Sequence, residues 1–149
     1  MDYTTFVIER FLRLHPLLKK LFIRPLETRV ANEVSPTQML VLFTLKLRGE
    51  MNMTQLAKEL SVSKQQLTKI VDGLAEKEYI ARRRAEENRR LILITLTKQG
   101  QHFFRQMKAE MTGALRPQFE LLSQKDLEEL EEAIGMIEEK LEKIAEKQQ

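Results

Sequence analysis

Two groups of side chains in this 149-residue chain are of the types that read nucleic acid. The first is Ser63, Lys64, Gln65, Gln66, Thr68 and Lys69. A Gln amide pairs with adenine in the major groove, Lys donates to guanine or phosphate, and Thr reaches a base edge or a methyl. Ser63, at a helix N-terminus, caps the helix or donates to a phosphate that the helix dipole also attracts. The second group is Arg82, Arg83, Arg84, Arg89 and Arg90, clustered within nine residues. The planar fork of Arg suits phosphate better than the Lys ammonium does. On a narrow protruding loop it enters a minor groove, where negative potential is enhanced. Each group has a plainer reading: a solvated helix face, and edge strands that use charge to block aggregation. The arginine cluster, coming directly after the polar helix face, favours recognition.

Placing these residues requires particular elements. Leu67, Ile70, Val71 and Leu74 recur at i, i+3, i+4 and i+7, so Lys64 to about Lys77 is a helix that turns the polar set and Asp72 away from the core. Met53–Leu60 forms a helix before it, with small Ala57 where the two cross and Leu56, Leu60 and Val62 filling the angle. The turn Ser61-Val62-Ser63 between them is short, as a helix-turn-helix demands. Ile80–Ala85 and Leu91–Leu96 read as strands, and Ile92, Ile94 and Leu96 share a face by the period of two. Glu86-Glu87-Asn88-Arg89-Arg90 is the turn, with the two glutamates expected to pair with some of the arginines. This order is that of a winged helix-turn-helix, which puts one helix in the major groove and a loop beside it.

Four helix starts carry a polar cap with a polar or acidic partner three residues on, flanked by apolar residues. They are Ser35/Gln38, Asn52/Gln55, Ser63/Gln66 and Ser123/Asp126, the pattern of a capping box with a hydrophobic staple. Pro36 stands at the first helical position of one of them. The helix from Pro36 to before Gly49 has nearly continuous apolar residues (Met39, Leu40, Leu42, Phe43, Leu47) and is expected to be the most buried. A first helix runs from about Thr5 to about Val30, with a kink or break expected from Pro16 and Pro25. A long helix covers Thr97–Leu121, with a kink expected at Pro117. In the last helix Leu127, Leu130, Ile134, Ile137, Leu141 and Ile144 alternate spacings of three and four, a heptad seam. It is expected to pack partly on the chain's own core and partly on another subunit.

The net charge of +3 is unevenly spread, at +4 over residues 1–49, +3 over 50–98, +1 over 99–122 and −5 over 123–149. The acidic tail is thus poorly suited to phosphate, and the first hundred residues are better suited. Cys is absent, which excludes disulfides, thiolate metal sites and cysteine redox switches. Only two His residues exist, far apart, against a His-rich zinc sensor, and no metal site is expected. No Gly-rich phosphate loop, nucleophile motif or metal-spaced His/Glu pair is present, so neither catalytic residues nor a cofactor are expected. No apolar run reaches the roughly 20 residues of a membrane span, and Met1-Asp2-Tyr3-Thr4 lacks a signal-peptide layout. A cytoplasmic protein with no membrane partner is expected.

The chain from about Leu17 to Leu141 resembles the MarR family of dimeric transcription regulators. The resemblance is carried by Leu56-Ala57-Lys58-Glu59-Leu60-Ser61-Val62-Ser63 and Leu67-Thr68-Lys69-Ile70-Val71-Asp72-Gly73-Leu74. It continues in Tyr79-Ile80-Ala81-Arg82, Asn88-Arg89-Arg90 and Leu96-Thr97-Lys98-Gln99-Gly100. Two positions depart from the family pattern. Asn88 stands where the wing commonly carries Asp, and Gly73 where many relatives carry a longer side chain. The resemblance implies a mainly α fold: a winged helix-turn-helix with a two-stranded β-wing, and a helical dimerisation region formed by the N- and C-terminal helices. Residues 1–149 are then one MarR-like domain, with 1–34 and 101–149 as the dimerisation region and 35–100 as the DNA-binding region. The implied partners are double-stranded DNA, a second copy of the chain and a small-molecule effector.

The implied function is a ligand-responsive repressor, acting as a homodimer on a pseudo-palindromic operator. Recognition falls to Ser63, Lys64, Gln65, Gln66, Thr68 and Lys69, with Arg82, Arg84, Arg89 and Arg90 in the wing. Leu127, Leu130, Ile134, Ile137, Leu141 and Ile144 serve the dimer. Arg10, Phe11 and His15 are the candidates for an effector cleft, although a lone His beside leucines is more often a partly buried helix residue. The alternative is a winged-helix protein-interaction module without its own operator.

Overall fold

The computed structural model describes residues 1–30 and 33–148; the expected regions' residues 31, 32 and 149 lie outside them. The chain divides into two compact units, Met1–Thr112 and Gly113–Gln149. The first begins with α1 (Tyr3–Leu18), whose N-terminus is capped by the Asp2 carboxylate accepting from the Thr5 amide at 3.1 Å. Pro16 lies inside α1, and the chain passes directly into a π-helical turn, Lys19–Ile23, and then α2 (Arg24–Val30). The interruption expected from the prolines thus falls just ahead of Pro25. A proline ring crowds the preceding turn, and the wider π turn, closed by the Arg24 amide on the Lys19 carbonyl, gives it room.

The winged core follows as α3 (Pro36–Arg48), β1 (Met51–Asn52), α4 (Met53–Glu59), α5 (Lys64–Glu76), β2 (Ile80–Arg84), β3 (Ile92–Leu96) and α6 (Lys98–Phe119). All four expected capping boxes are formed, with both reciprocal bonds present in each. The sheet has three antiparallel strands in the order β1-β3-β2: β2 and β3 are the two-stranded wing expected, and β1 adds a short third strand at the other edge of β3. β1 is only two residues long, too short to show alternation, and its Asn52 doubles as the N-cap of α4. β2 and β3 pair over five positions, from Ile80↔Leu96 to Arg84↔Ile92.

The ends of α4 and α5 are built alike. After α4, the Ser61 amide donates to Lys58 O and the Val62 amide to Ala57 O. After α5, the Glu78 amide donates to Ala75 O and the Tyr79 amide to Leu74 O. Both are Schellman closures, which need a left-handed residue usually supplied by Gly. Here Ser61 (φ 53°) and Glu78 (φ 59°) take it.

Val41, Leu42, Leu56, Leu67, Val71, Leu74 and Ile94 are wholly inaccessible and form the centre of this core. Phe104 meets Phe43 edge-on at 4.9 Å, and Phe103 stacks on Tyr79 at 4.3 Å. In α3 the buried residues are Val41, Leu42, Thr44 and Leu45, whereas Leu40 and Leu47 are exposed. With four buried residues in thirteen, α3 is nonetheless, as expected, the most buried of the helices whose burial is described, though its apolar run is not buried throughout. One face of a 3.6-residue helix remains outside even when its residues are apolar.

The second unit holds the end of α6 and α7 (Gln124–Lys147). No residue of α7 is buried. The Ser123 hydroxyl donates to Asp126 at 2.7 Å, and this bond, with that from the Ser123 amide, holds the carboxyl below the usual Asp range.

Candidate nucleic-acid interface

The α4–α5 pair is angled by its turn, and Leu67, Val71 and Leu74 anchor α5 on the core. Ser63, Lys64, Gln65, Gln66, Thr68, Lys69 and Asp72 are all exposed, as the period required. They are not equivalent. Ser63 Oγ accepts from the Gln66 amide at 3.1 Å, and Gln66 Oε1 accepts from the Ser63 amide at 3.0 Å. The Thr68 hydroxyl donates to Lys64 O at 2.8 Å. Three of these seven residues, Ser63, Gln66 and Thr68, are thus engaged by their own helix. Among the described residues, Lys64, Gln65 and Lys69 make no side-chain hydrogen bond or ion pair.

The wing arginines also divide. On β2, Arg82 and Arg84 share the parity of buried Ile80, which faces the core, while Arg83 points the other way. Arg82 reaches α5 and pairs with Asp72. Arg83 takes the Glu50 carboxylate at the foot of β1 with Nε (3.0 Å) and Nη2. Glu86 and Glu87, expected to pair with the arginines, make no ion pair among the described residues; Asp72 and Glu50 take those places. The reason is register. The β2 side chains are fixed by the ladder to reach neighbouring elements, whereas the two glutamates lie past its end. Such exposed pairs add at most about 1 kcal/mol each to stability, so their effect is on geometry: they tie the wing to α5 on one face and to β1 on the other. Arg84, Arg89 and Arg90 are exposed and make no side-chain contact of this kind among the described residues.

Asn88 shapes the loop itself. Its Oδ1 accepts from the Arg90 amide at 3.1 Å and its carbonyl from the Leu91 amide at 2.9 Å. The Ala85 amide closes the loop on Leu91 O at 3.0 Å. The role is one of acceptance, which an amide oxygen fills as a carboxylate would.

A model of the MarR family matches residues 34–102, from just before α3 to the first turn of α6. Over 108 residues the chain is 30% identical to the HTH-type transcriptional regulator YpoP of Bacillus subtilis, covering 72% of this chain and 77% of that one. The chain belongs to the MarR family. It is a DNA-binding helix-turn-helix transcription regulator. The HTH-type transcriptional repressor MdtR of the same bacterium is 28% identical over 116 residues, 78% of this chain and 75% of its own. The fold is shared with a MarR family protein from Bacillus stearothermophilus (TM-score 0.77, 19% identity, 95% and 98% of the two chains). It is shared also with wild-type MarR of E. coli (TM-score 0.70, 22% identity, 84% and 93%).

Two features sit outside this interface. In the first unit an apolar cavity of about 180 Å³ is lined by Ile23, Leu26, Glu27, Val34, Pro36, Met39 and Met111. Arg10, Phe11 and His15, the residues expected to line an effector cleft, are exposed on α1 and do not line it. Arg10 instead lies over the Phe6 ring, 5.7 Å from its centroid. The sequence offered no signal for the cavity, because its walls come from the π-helical turn, α2, the turn before α3, α3 and α6 and are, Glu27 apart, ordinary apolar residues. In the second unit Leu127 and Leu130 are half-buried, while Ile134, Ile137, Leu141 and Ile144 are exposed. No helix among the described residues is long and apolar enough to cross a membrane.

Proposed function

We propose that this MarR-family regulator is a ligand-responsive repressor that binds a pseudo-palindromic operator as a homodimer. The observation that carries the DNA reading is the division of labour on the interface. Ser63, Gln66 and Thr68 finish the helix, Arg82 and Arg83 brace the wing, and Lys64, Gln65, Lys69, Arg84, Arg89 and Arg90 are left for a partner. In this reading Gln65 and Lys69 meet base edges, while Arg84, Arg89 and Arg90 meet phosphate or a minor groove. Ser63 keeps its amide-capping role at the end of α5 nearest DNA.

Homodimerisation is supported by apolar surface that a monomer leaves wet. Phe6, Val7, Ile8 and Phe11 on α1, and Ile134, Ile137 and Leu141 on α7, are each at least 40% exposed. Apolar surface of this extent marks an interaction site, and the heptad spacing of α7 suits another helix. A two-fold arrangement sets the two copies of α5 in successive major grooves, about 34–36 Å apart. The ligand response is supported by the apolar cavity, whose wall runs through Val34 and Pro36 into the start of α3. Next to that wall, the Lys77 ammonium at the end of α5 donates to Glu33 O. Backbone footprinting on a bound duplex tests the proposal: two protected half-sites one helical turn apart are expected. A single protected stretch of one half-site, at saturating protein, would refute the two-fold reading.

A further inference from the structure

The cavity's lining names the kind of molecule it suits. Ile23, Leu26, Val34, Pro36, Met39 and Met111 make its walls almost wholly apolar, and Glu27, in the first turn of α2, is the one charged side chain among the described lining residues. We infer that this cavity takes a small aromatic cation, with the ring among the aliphatic and methionine side chains and the positive group at the Glu27 carboxylate. The inference rests on the ligand-responsive reading above and specifies its ligand.

Three observations carry it. First, size: an apolar cavity of about 150 Å³ holds a benzene ring, so about 180 Å³ holds one ring with a short substituent. Second, composition: two thioethers, from Met39 on α3 and Met111 on α6, adapt to an aromatic ring and contact it favourably. Third, charge: Glu27 is exposed and makes no ion pair among the described residues, so it stands open to a cation and repels an anion. The π-helical turn ends at Ile23, so the cavity lies against a departure from regular helix of the kind that gathers at functional sites.

The test uses the full-length protein with Met methyl groups labelled for NMR, and three single-ring probes that differ chiefly in charge: benzylammonium, benzyl alcohol and benzoate. Shifts of the Met39 and Met111 methyls report binding in this cavity. Benzylammonium is expected to bind roughly fivefold or more tighter than benzyl alcohol, with benzoate weakest, and the gap should narrow with added salt. Glu27→Gln should bring cation and alcohol to similar affinity, and Glu27→Lys should put benzoate first. Glu27 is exposed, so neither variant disturbs the core. Benzoate binding tightest to the wild type, three equal affinities, or an order unchanged by Glu27→Lys would each overturn the charge assignment. If no probe shifts these methyls, the inference and the ligand-responsive reading both fall. If benzylammonium binds in the expected order but leaves operator binding unchanged, the charge assignment stands and the ligand-responsive reading falls.

Discussion

Gly100 offers a quantitative test of the corner where the wing joins α6. The residue is buried in the first turn of that helix, and a Cβ built on it would lie 1.9 Å from the Tyr79 carbonyl oxygen and 2.8 Å from the carbonyl carbon. That is roughly 1.5 Å short of the 3.4 Å at which ordinary contact begins, and the obstacle is backbone, which cannot swing aside. The same carbonyl accepts from the Thr97 amide at 3.1 Å, while the Thr97 hydroxyl donates to Glu78 O at 2.5 Å and accepts from the Gly100 amide at 2.9 Å. Gly100→Ala therefore sets two effects against each other. Helix propensity favours Ala by about 1 kcal/mol. Overpacking costs about 1–3 kcal/mol, and separating Thr97 from Tyr79 costs about 1 kcal/mol more. Packing wins, with a net loss of about 1–3 kcal/mol, or roughly 2–12 °C in Tm for a chain of this size. Thermal unfolding by circular dichroism at one fixed protein concentration measures it, because the Tm of a dimer moves with concentration. Gly113→Ala, further along α6, has nothing within 4 Å of the new Cβ and should instead gain about 0.5–1 kcal/mol. A Gly100→Ala protein as stable as wild type would show that the β2–α6 corner is looser than this packing requires.

Other perturbations separate the remaining roles. Arg89→Ala should weaken binding to every duplex alike, whereas Gln65→Ala or Lys69→Ala should change sequence preference by about 1–3 kcal/mol at one base position. Anisotropy titrations on matched and mutated sites distinguish the two, and unaltered binding in all three variants would mean the wrong face has been assigned. Polar replacement of Ile137 and Leu141 should shift sedimentation toward monomer; an unchanged dimer would make this stripe internal packing. Glu78→Gly should stabilise by about 0.5–1 kcal/mol, since Gly adopts the left-handed φ without the Cβ penalty, and a loss of denaturation midpoint would contradict that. Asp126 has its folded-state pKa depressed, so its contribution is present above the unfolded value and is lost as pH falls through the lower folded one. NMR titration should find its carboxyl below the ordinary 3.8, and Ser123→Ala, which removes the hydroxyl but keeps the backbone amide, should raise it part of the way back; a wild-type value at or above 3.8 would refute the hydrogen-bond cause.

Periodicity made the helix-turn-helix legible. The capping partners are three residues apart, and the apolar face of α5 repeats within one helix, so both are local patterns. What sequence did not disclose was non-local. β1 is two residues whose pairing with Leu93 and Ile94 depends on the fold already being formed. Asp72 and Glu50 reach arginines 10 and 33 residues away, and only strand parity hinted at which arginine would face α5. The cavity draws on α2, α3 and α6, whose apolar residues look like any other core positions until they are assembled. The Schellman ends after α4 and α5 were hidden for a different reason: Ser61 and Glu78 hold a conformation for which Gly is the usual sign.

α5 and the wing of this MarR-family protein are proposed to read a two-fold duplex site. Selection of bound duplexes from a random pool, followed by salt titration of the winning site with wild type and Arg89→Ala, tests it most directly. A symmetric consensus is expected, with affinity that falls steeply with salt and a shallower log–log slope in the variant as phosphate contacts are lost. No enriched site, or binding that is insensitive to salt, would contradict it and point to a winged domain that serves a protein partner instead.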